Sequence, residues 1–252
     1  MSDVKSFWDS KGGDRTLNDL EVTHKDIWQR WLEIETVKRH LRPMDRLVDI
    51  GCGAGYSTAQ FAGHVSSAVG LDYSEEMIRR ARQRDRDGAH LEFHVCDVLK
   101  LTPADHGTFD IAISTRCLIN ILDEEQQYRA IDNIAGILKP GGRFVFIEGL
   151  SQGRERLNVL RQKVDLPEMP KVWHNLDFEE TRLLREMKKR FTILERSDFG
   201  TYDLISRVVY PLSIRPDEPK YDAKLNEVAA RLALTWGTSS DISRVIVLVL
   251  QA

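Results

Sequence analysis

Short apolar runs rich in β-branched and aromatic residues recur along the chain, at Leu47 to Ile50, Ala68 to Leu71, Leu91 to Val95, Phe109 to Ser114 and Phe144 to Ile147. Stretches with helical spacing lie between them, and that alternation predicts an α/β fold with a mostly parallel, doubly wound sheet. Ser74 is placed to cap a helix over Glu75 to Arg84. Asp123 with Gln126 three residues on reads as a capping box opening Glu124 to Leu138, which Lys139-Pro140-Gly141-Gly142 then stops. Farther on, Arg154 to Val164 reads as a helix, followed by a proline-punctuated loop over Leu166 to Leu176. Asp177 and Glu180 predict a second capping box for a helix to about Lys189, whose basic end, Lys188 to Arg190, faces water. Phe191 to Arg196 and Arg244 to Leu250 complete a set of seven strands. The 44 residues from Phe199 to Ile242 between these two are far more than a hairpin needs, so they predict an inserted cap. Within them Tyr221 to Leu234 reads as a helix with Leu225, Val228 and Leu232 on one stripe.

These elements give a Rossmann-like seven-strand domain in three stretches: an N-terminal helical cap over residues 1–42, a core over 43–150, and a completion of the core over 151–252. The last stretch carries substrate-cap segments at Ser151 to Leu176 and Gly200 to Asp241. A chain of 252 residues with 42% apolar content and 30% charge can bury one such core with appendages. No stretch approaches the roughly eighteen unbroken apolar residues that span a bilayer, and the opening MSDVKSFWDS lacks the pattern of a secretory signal, so a cytoplasmic protein without a membrane partner is expected. Cys52, Cys96 and Cys117 are widely spaced, which implies neither a disulfide framework nor a metal site. With a formal charge of −3 and both signs interspersed, no basic surface is set aside for nucleic acid. The partner expected is a small-molecule acceptor, with a homodimer left open.

The sharpest local signal is Leu47-Val48-Asp49-Ile50-Gly51-Cys52-Gly53-Ala54-Gly55, a strand running into a glycine turn and then the helical Tyr56 to Ala62. Glycines there let the backbone turn sharply and a ligand approach. A dinucleotide fold also begins this way, and an NAD-type oxidoreductase is the reading from another class. That pattern wants glycine where this chain has Tyr56, and Asp49 sets a carboxylate where a pyrophosphate would lie; a zwitterionic sulfonium tolerates it. Asp72, twenty-one positions after Gly51, ends the second strand, where a carboxylate can accept both hydroxyls of a ribose. Asp97, in Cys96-Asp97-Val98, ends the third and can accept from an adenine amine.

In order, the glycine turn, Leu71-Asp72-Tyr73-Ser74, Cys96-Asp97-Val98, Phe109-Asp110 and Leu138-Lys139-Pro140-Gly141-Gly142 resemble the motifs of class I S-adenosylmethionine-dependent methyltransferases, over Leu41 to Gly149. The resemblance implies S-adenosylmethionine as cofactor. By it, Asp49 and the turn of Gly51, Cys52, Gly53 and Gly55 hold the methionine part, Asp72 the ribose and Asp97 the adenine. Tyr73 and Met77 pack on the adenine, with Cys96 and Val98 beside it, and Ser114, Thr115 and Arg116 face the methionine end. Phe7-Trp8-Asp9 resembles the aromatic entry segment of such enzymes.

Methyl transfer to a hydroxyl needs a base. His174, in Lys171-Val172-Trp173-His174-Asn175, and Tyr202 in the cap are the candidates; His24, His64, His90, His94 and His106 have weaker positional claims. Arg116 and Glu148, just beyond the fourth and fifth strands, are placed to bind substrate or to pair with each other. Trp8 and Arg207 are further substrate candidates, Arg207 for an anionic group. The nucleobase Asn/Asp-Pro-Pro-aromatic motif, the acidic set of metal-dependent catechol enzymes and the two-glutamate hairpin of arginine methyltransferases are all missing after the fourth strand, which reads Ser114-Thr115-Arg116-Cys117. What remains is O-methylation of a small polar molecule, a sugar or secondary metabolite. N-methylation of a small amine is the nearest alternative.

Overall fold

The computed structural model describes residues 2–18, 22–23, 25–84, 90–236 and 241–252; His24, one of the histidines weighed above, and residues 237–240 of the expected cap lie outside them. The strands are β1 (Arg46–Ile50), β2 (Ser67–Asp72), β3 (Leu91–Val95), β4 (Phe109–Thr115), β5 (Leu138–Gly149), β6 (Thr192–Asp198) and β7 (Val245–Gln251). The helices are α1 (Ser2–Gly13), α2 (Ile27–Lys38), α3 (Tyr56–Ala62), α4 (Glu75–Ala81), α5 (Pro103–His106), α6 (Glu124–Gly136), α7 (Ser151–Lys163), α8 (Glu180–Arg190), α9 (Gly200–Leu204), α10 (Tyr210–Ser213) and α11 (Lys224–Trp236). The sheet runs β3-β2-β1-β4-β5-β7-β6, with β7 antiparallel to both neighbours, so the expected seven-strand α/β architecture is the one observed.

Alternation along β5 shows how one strand serves two cores. Phe144 and Phe146 point into the layer beneath α6 and α8, with Ile131, Ile134 and Leu183. Val145 and Ile147 point into the opposite layer, with Leu32 and Val37 of α2 and Ala229 and Ala230 of α11. This period of two is what a strand covered by helices on both faces requires. Ser74 and Asp123 cap their helices as expected, accepting from Met77 N and Gln126 N.

Two readings are corrected. The cap of α8 is Glu179, whose carboxylate accepts from Thr181 N and Arg182 N, while Asp177 instead pairs with Arg154 at 2.9 Å. In α11 the stripe is inverted: Asn226, Ala229, Ala230 and Ala233 are buried, and Val228 and Leu232 are exposed. Helices that approach closely need small side chains at the contact, so the alanine stripe and not the one with the larger apolar groups is buried. The C-terminal insertion is helical. α9 and α10 are joined by a π-helical turn over Ile205–Val209, a local rewinding that re-aims the side chains of one turn.

Candidate functional site

A cleft of about 1320 Å³ opens at the carboxyl ends of β1, β2 and β4. Parallel sheets bind ligands at this edge because the strand order reverses there and leaves a crevice. Its floor is the glycine turn with Leu71-Asp72-Tyr73 and Cys96-Asp97-Val98. One wall comes from α1 and α2, and the other from the loop 166–175 and the segment 206–221.

At the turn, Gly51 and Gly53 border the cleft with φ of 73° and 54°, a backbone that residues with a Cβ rarely adopt. The turn is pinned by Asp72: its Oδ2 accepts from Gly53 N and its Oδ1 from Ser74 N, both at 2.9 Å. Each oxygen keeps a second lone pair. Burial pushes the Asp72 carboxyl up to about 6 against those two amides. Asp49, beside it, accepts from the Thr58 hydroxyl at 2.6 Å, and burial with Asp72 nearby carries it up to about 7. A folded value above 3.8 means that Asp49 contributes stability fully below about pH 4, and that this is lost as pH rises to about 7. Chemical denaturation of the free protein is expected to show a loss of roughly 3 to 4 kcal/mol over that range that the Asp49→Asn variant does not share.

Cys52, Tyr73, Met77, Cys96, Asp97, Val98, Thr115 and Arg116 all border the cleft. Asp97 Oδ1 accepts from Leu99 N at 3.0 Å, and the Tyr73 hydroxyl is buried without a hydrogen-bond partner. Gly55 does not border it. A Cβ there would lie within 2.9 Å of Phe93 and Ala81, so that glycine serves the packing of α3 on the sheet. Ser114 is also withdrawn, its hydroxyl donating to Glu148 at 2.6 Å.

Glu148 itself is a correction to the substrate reading. It is fully buried and accepts from Ser114 Oγ and from the backbone N–H groups of Cys117, Leu118 and Ile119, clamping the connection after β4 onto β5. Burial raises its carboxyl to about 7 despite these donors. Nor does it pair with Arg116, whose guanidinium meets Glu33 of α2 at 2.8 and 3.1 Å. Tyr202 is the second correction: its side chain is fully buried, does not border the cleft, and donates to Asp26 Oδ1 at 2.6 Å. Burial beside Asp26 raises that phenol far above its ordinary value, which suits a structural hydroxyl and not a proton acceptor.

His174 borders the cleft in a nest of rings, stacked on Phe7 at 4.5 Å and edge-on to Trp8 and Trp173 at 5.4 and 5.2 Å. Its Nδ1 is buried without a partner, and burial holds its pKa below 6.5. Trp8 is fixed by donating its indole N–H to Asn120 Oδ1 at 2.9 Å. Arg207 borders the cleft and pairs with Asp26. Several bordering residues carried no recognisable sequence signal: Asp26, Gln29 and Arg30 of the α2 segment, Asn120, Arg161 and Arg244. Charges on an amphipathic helix look like a solvated face until the partner wall is known. Arg30 is 7% exposed, donates to Thr23 Oγ1 beside the glycine turn, and leaves its Nε buried without a partner. Burial and the neighbouring Arg116 lower it to about 10.

The strand order, the antiparallel β7 and the acid-lined glycine turn at the switch in strand order define the class I methyltransferase fold. Residues 47–142 match a family described as "Methyltransferase domain". The chain is 30% identical over 141 residues to a demethylmenaquinone methyltransferase of Clavibacter sepedonicus, covering 55% of this chain and 54% of that one. It is 32% identical over 111 residues to the O-methyltransferase cnsE of Penicillium expansum, covering 42% and 39%. The chain thus spans about half the length, or less, of these curated relatives. Among solved structures it resembles the N-methyltransferase NodS of Bradyrhizobium japonicum in complex with S-adenosylhomocysteine, with a TM-score of 0.62, 17% identity and coverage of 98% and 97%. The cleft fits such a cofactor on its own features: a turn of left-handed glycines, an acid with two free lone pairs, and orphaned polar atoms on Tyr73 and Arg30. No described helix is long and apolar enough to cross a membrane.

Proposed function

We propose that the protein is an S-adenosylmethionine-dependent methyltransferase acting on a hydroxyl of a small polar molecule, with His174 as general base. S-adenosylmethionine supplies a methyl carbon already activated by its sulfonium, so the chain's task is to position the acceptor, exclude water and remove a proton. Asp72 receives the ribose hydroxyls, Asp97 the adenine amine, and Gly51 to Gly53 the methionine part. Arg30 takes the methionine carboxylate, which supplies the acceptor its Nε lacks. The observation that carries the O-methylation reading is His174: a bordering imidazole, kept neutral by burial, with an unpartnered Nδ1 that would take the hydroxyl proton as the methyl group passes from sulfur to oxygen, the C–S bond breaking as C–O forms and the thioether leaving. Trp8 and Arg116 orient the acceptor from the α1 and α2 side, and Arg207 from the cap.

Calorimetric titration with S-adenosylmethionine, S-adenosylhomocysteine and NAD, followed by a mass-spectrometric screen for methyl transfer to sugars, phenols, amines and phosphonates, tests this reading; binding of NAD alone would overturn it. Arg30→Met is expected to weaken S-adenosylhomocysteine about tenfold by calorimetry, the effect of losing one charge-assisted contact. Unchanged affinity would place the methionine carboxylate elsewhere.

A further inference from the structure

Three arginines from different elements converge on the cap side of the cleft. Arg161 comes from α7, Arg207 from the π-helical turn, and Arg244 from the residue preceding β7. Their side chains are held together: Arg161 Nη1 donates to the carbonyl of Arg207, and Gln29 Oε1 accepts from both Arg207 Nη2 at 3.4 Å and Arg244 Nη2 at 3.1 Å. Two carboxylates answer them. Asp26 pairs with Arg207, and Asp203 with Arg244 through Nε at 2.9 Å and Nη2 at 2.6 Å.

Arg161 has no carboxylate within ion-pair distance among the described residues; its Nε and Nη1 are spent on the carbonyls of Pro167 and Arg207. It is 8% exposed, and the Nε of Arg207, a residue 9% exposed, is buried with no acceptor. The cluster therefore holds one more positive charge than negative and an unused donor, in a place largely withdrawn from water. An uncompensated buried charge is costly, and three elements, one of them a rewound helical turn, are needed to assemble this one. Burial and the charges of Arg207 and Arg244 accordingly depress the pKa of Arg161.

From this geometry we infer that the methyl acceptor carries an oxyanion, a carboxylate or a phosphate, seated on Arg161, Arg207 and Arg244. The inference rests on the methyltransferase reading for the word acceptor, but the anion subsite can be measured without turnover. The bound oxyanion supplies the missing negative charge and accepts from Arg207 Nε and the remaining Arg161 N–H groups. Planar guanidiniums suit it because they hold their remaining donors in fixed directions for a carboxylate or phosphate edge.

The test is calorimetry on the full chain, saturated with S-adenosylhomocysteine, titrated at constant ionic strength with inorganic phosphate, with succinate and with the uncharged dimethyl succinate. Phosphate or succinate is expected to bind in the millimolar range or tighter and the diester not at all; which of the two anions binds assigns the oxyanion type. Arg161→Gln is expected to weaken the bound anion about tenfold or more, because it removes the charge without stranding a carboxylate. Arg161→Lys keeps the charge and retains part of the affinity, and Arg185→Gln, on exposed α8, changes nothing. If Arg161→Gln does not fold, the loss is read from Arg161→Lys alone. No binding of either anion, or equal binding in the Arg161 variants, overturns the subsite. Failure of S-adenosylhomocysteine to bind, with the anion still lost on Arg161 substitution, counts against the methyltransferase reading and leaves the subsite standing.

Discussion

Replacing His174 by alanine is expected to lower kcat by about 10² to 10⁴ once an acceptor is in hand, the range that removal of a general base gives, while the affinity for S-adenosylhomocysteine stays as it was. The imidazole sits among Phe7, Trp8 and Trp173, with no carboxylate among the described residues paired to it, so it is neutral and receptive near neutral pH. Burial lowers its pKa, so kcat should fall only as pH drops below about 6.5, with the midpoint under the ordinary histidine value. The pH profile of the wild type and the kcat and KM of His174→Ala check both points. An unchanged kcat with a raised KM would reduce His174 to a binding wall. An amine acceptor would then be the better reading, since its lone pair attacks without prior loss of a proton.

Asp72→Ala is expected to weaken S-adenosylmethionine by about 2 to 4 kcal/mol, because two charge-assisted hydrogen bonds to the ribose are lost together. The same carboxylate pins Gly53 and Ser74, so the substitution also loosens the turn that receives the methionine part. Asp97→Ala should cost less, with one amine contact at stake. Since burial holds Asp72 near 6 in the free protein, below that pH a proton must be shed before both hydroxyls can be accepted. Cofactor affinity should therefore fall as pH drops through about 6 in the wild type, and this dependence should vanish in Asp72→Asn. Calorimetry at several pH values measures it, and a folded Asp72 variant with full affinity would mean that the ribose lies elsewhere.

Legibility in the sequence followed the range of the interaction involved. The seven strands and the glycine turn at the cleft were readable because they depend on local rules. A short apolar run rich in β-branched and aromatic residues marks a buried strand, serine or aspartate before a polar turn marks a helix start, and glycine marks the left-handed positions at Gly51 and Gly53. Asp72 and Asp97 could be placed because each ends a strand, and strand ends in this architecture face one crevice.

The acceptor side was readable only in part. His174 and Arg207 were placed beside the cleft, but Tyr202, three residues into the same insertion as Arg207, turns into the core to meet Asp26. The sequence cannot tell these apart, because which face of a cap helix meets the sheet depends on α2 and α11 packed against it. Glu148 was misread for a similar reason. A glutamate at a strand end looks available until the chain after β4 folds back and directs Ser114 and three backbone N–H groups at it.

By itself, then, the order of apolar runs, caps and glycines determined the class I architecture and the glycine-turn end of the cleft, since those rest on neighbours a few positions apart. Only the tertiary structure decided the chemistry of the other end. Arg161, Arg207 and Arg244 are dispersed over more than eighty positions, and of the three only Arg207, which breaks an apolar run, stands out in the sequence as a candidate for an anion. They become a buried, under-neutralised cluster when α7, the π-helical turn and the start of β7 close on α2. The energy of a charge depends on the water and counter-charges around it, and these are fixed by packing between distant segments.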